Sequence, residues 1–311
     1  MGLASRPAFA QTYPDRPIRM IVGLPPGGAV DTVARMLAES LATALSQPVV
    51  VENRAGAAGM IAAEVIARSA PDGYTIGLQD VGALAVNPAL QKKIAYDVTK
   101  DFQYVGTVAK IPLVLVAHPS VAANSLDELT RMAKARPGKL SYASSGVGGP
   151  LHLAFESYKQ RAGVFVTHIA YRGGAPALAD VVAGHVDLMF IDTNLGAQYV
   201  KSGRVKPLAV GALERSPLLP TVPTFDELGM KGFDAAPWLG LVTPAGLPAE
   251  VTQRLTRALA IATGSDTFVS RVRAIGFVPF KSSPGEFATL VRNDVAGYRT
   301  LILHQGIKLD D

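Results

Sequence analysis

Two α/β lobes joined by a double crossing are predicted by three features of the 311-residue sequence. Short apolar runs alternate with amphipathic stretches, the pattern of a mostly parallel, doubly wound sheet flanked by helices. The series begins twice, near residue 17 and again near residue 125. From residue 248 onward only helical patterns are read, and a strandless tail must pack on a lobe already formed. With that tail on the first lobe, residues 12–111 plus 239–311 form lobe 1 and residues 112–238 form lobe 2. The crossings then fall near residues 110–113 and 237–240, the layout of a hinged cleft.

Residues 17–45 set the pattern. Ile18, Met20, Ile21, Val22 and Leu24 read as a buried strand, and Val30, Val33, Leu37, Leu41 and Leu45 recur at helical period. Between them Gly27 and Gly28 allow a tight turn, which aims the free amides of the first helical turn out of the sheet's carboxyl edge. A strand at 49–51, a helix opened by Gly56-Ala57-Ala58-Gly59 and a strand at 74–78 complete a β-α-β-α-β series. Gln79-Asp80-Val81-Gly82 then leads into a short helix, and strands follow at 102–110 and 112–117.

The second series opens with Ser125 and Glu128, spaced as a capping box. Strands are read at 140–143, 165–171, 186–191 and 205–210, with helices at 151–161, 174–184 and 196–202 between them. The tail holds helices at 249–263, 266–275 and 284–306.

An apolar content of 49% with 18% charged residues describes a well-buried globular chain, and no apolar run approaches the ~18 residues of a membrane span. The net charge of +5 comes without a basic–aromatic cluster, so no nucleic-acid partner is expected. Without cysteine there is no disulfide, thiolate metal site or thiol chemistry, and the compartment stays open. Ala8-Phe9-Ala10 before Gln11 fits a signal-peptidase site, although the basic and apolar regions of a leader are missing. Residues 1–11 therefore read as a signal-peptide remnant or a disordered terminus.

The strand–turn–helix device recurs where a ligand could be held. Lobe 1 contributes Gly27, Gly28, Ala29 and Asp31, and then Gln79, Asp80, Gly82 and Ala83. Lobe 2 contributes Ser144, Ser145, Gly146 and Gly148, then Arg172 and Gly173, and Asp192 at a strand end. If both lobes turn these strand ends toward one cleft, neutral donors and helix dipoles converge on a space suited to a small carboxylate. The plainer reading is that Gly-rich turns are routine in any parallel sheet. Asp31 either fixes its own turn or touches ligand; His168 reads as a core histidine, His152 as a candidate polar contact, and Trp238 as packing at the crossing. No dinucleotide fingerprint, phosphate loop, nucleophile elbow or H-x-x-x-H pair occurs, so neither cofactor nor metal is expected.

Several motifs in order carry a family resemblance. They are Tyr13-Pro14-Asp15-Arg16-Pro17-Ile18, Pro26-Gly27-Gly28-Ala29-Val30-Asp31, and Val51-Glu52-Asn53-Arg54-Ala55-Gly56-Ala57-Ala58-Gly59. Further on come Ala70-Pro71-Asp72-Gly73-Tyr74, Asn87-Pro88, Ser144-Ser145-Gly146-Val147-Gly148, Tyr171-Arg172-Gly173-Gly174-Ala175-Pro176-Ala177 and Gly184-His185-Val186-Asp187-Leu188-Met189-Phe190. From about residue 13 to the end, the chain resembles the extracytoplasmic receptors of tripartite tricarboxylate transporters, the Bug or TctC-like family.

The resemblance implies a type II periplasmic-binding-protein fold that closes on a mono- or dicarboxylate, aromatic ones included, without chemistry. It implies a periplasmic receptor that delivers its ligand to a two-component membrane permease; a monomer is expected. It places the ligand carboxylate against Gly27, Gly28, Ala29 and Asp31, with ordered waters, and the second-lobe contacts at Ser144, Ser145, Gly146 and the Asp192 strand end. Leu24 stands where the family often has an aromatic residue, and Asp80 in a stretch that is usually neutral. A sensor feeding a membrane kinase and an α/β-cleft enzyme acting on a carboxylate are the alternative readings.

Overall fold

The two series of strand–turn–helix units build two separate sheets in the computed structural model, which describes residues 13–307. The Ala8-Phe9-Ala10 motif lies outside the described residues. The first sheet contains β1 (Ile18–Val22), β2 (Val49–Asn53), β3 (Thr75–Asp80), β4 (Phe102–Lys110), β10 (Trp238–Pro244) and β11 (Val278–Pro279). Its order is β11-β4-β10-β3-β1-β2. The second contains β5 (Leu113–Ala117), β6 (Ser141–Ser144), β7 (Thr167–Ala170), β8 (Leu188–Asp192) and β9 (Lys206–Val210), in the order β7-β6-β8-β5-β9.

Both sheets are mixed, which corrects the expectation of mostly parallel sheets. In the first, β1 runs parallel to β2 and β3, whereas β10 opposes β3 and β4, and β11 opposes β4. In the second, β6 runs parallel to β7 and β8, whereas β5 opposes β8 and β9. The cause is the double crossing. The chain enters each sheet from the other lobe, at the edge where the parallel strands end, so the entering strands β5 and β10 must run backward. The tail also differs from its all-helical reading, because β11 adds a two-residue strand to the sheet edge.

Helix α1 (Ala29–Leu45) presents Val33, Leu37, Leu41 and Leu45 to one face of the first sheet, where α8 (Ala249–Gly264) adds Leu255 and Leu259 to the same core. Helix α10 (Pro284–Gln305) covers the other face, started by the Ser283–Glu286 capping box. Its Phe287 lies so close over Gly240 that a Cβ there would come within 2.1 Å of the ring. The tail thus closes both faces of the first sheet. In the second lobe, α4 (Leu126–Ala135) and α5 (Pro150–Ala162) pack Leu129, Phe155 and Tyr158 with Phe190, Phe225 and Phe233.

At the crossing, the Ile111 amide donates to the Pro237 carbonyl at 2.8 Å and Trp238 pairs with Lys110. The Trp238 indole N–H donates to Asp294 at 2.6 Å and its ring meets Phe287 edge-on, so this side chain packs at the crossing.

Candidate binding cleft between the lobes

The first turn is held by Asp31. The Gly27 amide, at φ +82°, donates to Asp31 Oδ2 at 2.9 Å. Arg35 Nε donates to the same oxygen at 2.9 Å and its Nη2 to Oδ1 at 3.0 Å; Asn53 Nδ2 reaches Oδ1 at 2.9 Å and the Leu24 carbonyl at 3.0 Å. Burial opposes ionisation of Asp31, but Arg35, the Gly27 amide and Asn53 outweigh it and hold the carboxyl below the usual carboxylate range. Gly27 is therefore a bracing residue, and its amide is not the free donor expected there. Gly28 caps α1 without a side chain, so the amides from Gly28 and Ala29 stand at the helix's positive end with no intrahelical acceptor.

A second cluster forms around Gly59. Gly56, Ala57, Ala58 and Gly59 all have positive φ (139°, 47°, 50° and 87°), an arrangement that two alanines adopt only under strain. Asn87 Nδ2 donates to the Ala58 carbonyl at 3.0 Å and holds it. A Cβ on Gly23, just past β1, would lie 2.8 Å from Gly59 Cα, and one on Gly59 would lie 3.2 Å from Ala83 Cβ. Asp80 ends β3 and accepts the Ala83 amide at 3.0 Å, and the Gly82 amide also bonds to it; burial pushes its carboxyl up. Gly82 and Ala83 thus spend their amides on Asp80. Gln79 is part of β3, buried, with Nε2 at 3.2 Å from the Leu78 carbonyl, and does not stand in the turn as expected.

The second-lobe turn from Ser144 to Gly149 is braced from behind by two histidines. Ser144 Oγ lies 2.7 Å from His168 Nε2 and accepts the Gly146 amide at 3.2 Å. The Gly148 amide donates to His152 Nδ1 at 2.9 Å, and the Gly173 amide to the Ser145 carbonyl at 3.3 Å. His168 is satisfied but only half-buried on the edge strand β7, not the core histidine expected, whereas His152 is buried and faces its own turn. Arg172 is exposed. Asp192 caps α7 (Thr193–Lys201) by accepting the Leu195 amide at 2.9 Å, and burial pushes its carboxyl up.

The lobes meet beside the Ser144–Gly149 turn and at the start of α7. Gly148 packs so tightly on lobe 1 that a Cβ would fall 2.2 Å from Leu90, at the end of α3 (Asn87–Leu90). Leu153 of α5 is buried in the lobe 1 cluster with Val81, Ala83 and Leu84. On the other rim, Thr193 Oγ1 donates to the Gly276 carbonyl at 3.0 Å. Two recesses open beside these turns. One of about 520 Å³ touches Pro26, Gly27 and Asp31, but its charged walls are already paired as Arg35–Asp31 and Arg271–Glu39, all within lobe 1. One of about 370 Å³ runs between α5 and α10 past Arg161, Asp234 and Asp294. Among the described residues no group of three or more His, Asp or Glu is placed to hold a metal.

The sequence reading missed Gly23 and Gly59 as packing points and the buried partners of the second turn. Their only trace was the spacing of His152 and Glu156, one helical turn apart on α5.

Two α/β sheets joined by paired crossing strands, with the Gly148 turn of one lobe packed on Leu90 of the other, have the architecture of a two-lobe solute-binding protein. The chain belongs to the tripartite tricarboxylate transporter family of receptors, whose model matches residues 33–307. It is similar to protein BugT of Bordetella pertussis, with 38% identity over 99% of this chain and 94% of that protein. It is also similar to the solved structure of Rpa4515 with adipate from R. palustris (TM-score 0.85, 32% identity, 95% and 99% of the chains covered). MatC from Rhodopseudomonas palustris, solved with bound malate, gives a TM-score of 0.80 at 30% identity, covering 93% of this chain and 100% of that one. Among the described residues no helix is long and apolar enough to cross a membrane.

Proposed function

We propose that this receptor closes on a small carboxylate between its lobes in the periplasm and, as a monomer, hands it to a membrane permease. The supporting observation is the contact of the Ser144–Gly149 turn with the lobe 1 turn system at Gly148 and Leu90. Relatives solved with adipate and with malate support the ligand class. Residues 12–111 with 239–311 move as one body and 112–238 as the other, about the paired strands at Lys110 and Trp238.

The ligand carboxylate rests on the Gly28 and Ala29 amides at the positive end of α1, and the Ser145 hydroxyl approaches from lobe 2. Gly27, Asp31, Gly82, Ala83, Ser144, Gly146, Gly148, Gly173 and Asp192 give the turns their shape, because their polar groups are engaged within the protein. Asp80 and Arg172 stand at the flanks and bias the cleft's charge. The test is a thermal-shift screen of mono- and dicarboxylates, aromatic acids and amino acids. A true ligand at ~100 Kd adds ~2.7 kcal/mol of stability. A panel without any shift, with no carboxylate in a co-crystallised cleft, overturns the reading.

A further inference from the structure

Behind the second-lobe turn lies a buried polar assembly that solute binding does not require of a sandwich core. Glu156 Oε1 accepts the Lys159 ammonium at 2.6 Å and the Tyr142 hydroxyl, and lies 3.7 Å from His152 Nε2. All are nearly inaccessible: Tyr142 0%, His152 4%, Glu156 3% and Lys159 9% exposed. The rings of His152 and His168 stack at 4.0 Å, His168 on Tyr142 at 4.8 Å, and Tyr142 on Phe155 at 3.8 Å. One histidine holds each end of the turn, His168 at Ser144 and His152 at Gly148.

The hydrogen bonds determine the tautomer. Nδ1 of His152 accepts the Gly148 amide, so it carries no proton, and the proton of the neutral ring sits on Nε2 facing Glu156. That arrangement turns the Gly148 amide away from the cleft and stations Gly148 against Leu90 of the other lobe.

Resting on the carboxylate-receptor reading, we propose that His152 is a positioning residue for ligand capture: through its bond to the Gly148 amide it presets the Ser144–Gly149 turn in the form that closes on lobe 1. The charged and titratable groups around it are Glu156 and Lys159 on its own helix, His168 from β7 and Tyr142 from β6.

The test compares the wild type, His152→Asn and His152→Leu, each with the carboxylate that gives the wild type its largest thermal shift. Asn offers a carbonyl oxygen near the place of Nδ1, whereas Leu fills the space and leaves the Gly148 amide without an acceptor. Expected is a Kd within about threefold of wild type for Asn, and a rise of about tenfold or more for Leu. Equal affinity in His152→Leu, or equal loss in both variants, overturns the proposal. Should His152→Leu not fold, nitrogen NMR of wild-type His152 decides: a protonated Nδ1, in either the other tautomer or the imidazolium, overturns it. A wild type that binds no carboxylate defeats the functional reading, a result separate from both.

Discussion

The two lobes use one backbone device and brace it by opposite means. In lobe 1, Asp31, itself only 3% exposed, ties the turn to its helix with a charge, shared with an arginine whose side chain is 53% exposed. In lobe 2, the Ser144–Gly149 turn is tied by neutral imidazoles whose neighbouring charges, Glu156 and Lys159, are themselves buried. The first brace keeps its counter-charge beside water, where Arg35 can rearrange. The second is enclosed, so every member depends on the others remaining satisfied.

The largest difference should appear when each brace loses its carboxylate. Glu156→Ala leaves the Lys159 ammonium buried without its partner and strands the Tyr142 hydroxyl. A loss of about 3–5 kcal/mol is expected in urea unfolding. Glu156→Ala combined with Lys159→Met should recover part of it, because no isolated charge then remains inside. Asp31→Ala strands the Gly27 amide and removes one of the two acceptors of Asn53 Nδ2, while Arg35 turns to water. A loss of about 2 kcal/mol is expected there, and Asp31→Asn, which keeps an acceptor for Gly27, should lose less. Equal losses at the two sites would erase the distinction between a brace whose counter-charge is enclosed and one whose counter-charge reaches water.

Much of the scaffold could be read before any coordinates. The period of Val33, Leu37, Leu41 and Leu45 located α1 because every one of them enters the core. The Ser125 cap also holds, its hydroxyl accepting the Glu128 amide at 3.2 Å. Strand direction was hidden, since a strand's apolar pattern is the same read either way; β5 and β10 were reversed by topology alone. The two-residue β11 carries too little pattern to register. Gln79 was misplaced because β3 runs two residues beyond its last apolar side chain. In the site, positions were legible and hydrogen-bond partners were not. The amides of Gly27 and Gly148 look free in sequence, yet each finds an acceptor four residues ahead, Asp31 and His152, once the helix has formed. Asn53 reaches Asp31 from another strand, which no local pattern announces.

Acid separates the two braces as well, one pH unit at a time. Burial first, then His168 and Lys159, lowers His152 from its ordinary 6.5 to about 3. Between those values the unfolded chain binds a proton that the folded chain refuses. The contribution of His152 is therefore fully present above pH 6.5 and is lost as pH falls toward 3, by at most about 1.4 kcal/mol per unit. Asp31 has the same sign in a lower window: its folded value is depressed, so its contribution persists until pH falls below the ordinary carboxylate range. Urea midpoints measured from pH 7 to 4 should fall less steeply in His152→Asn than in the wild type. Asp31→Asn should keep the wild-type slope down to about pH 5. Parallel slopes for the wild type and His152→Asn would mean that His152 is protonated in the folded lobe, and the enclosed brace would then be one more charged one.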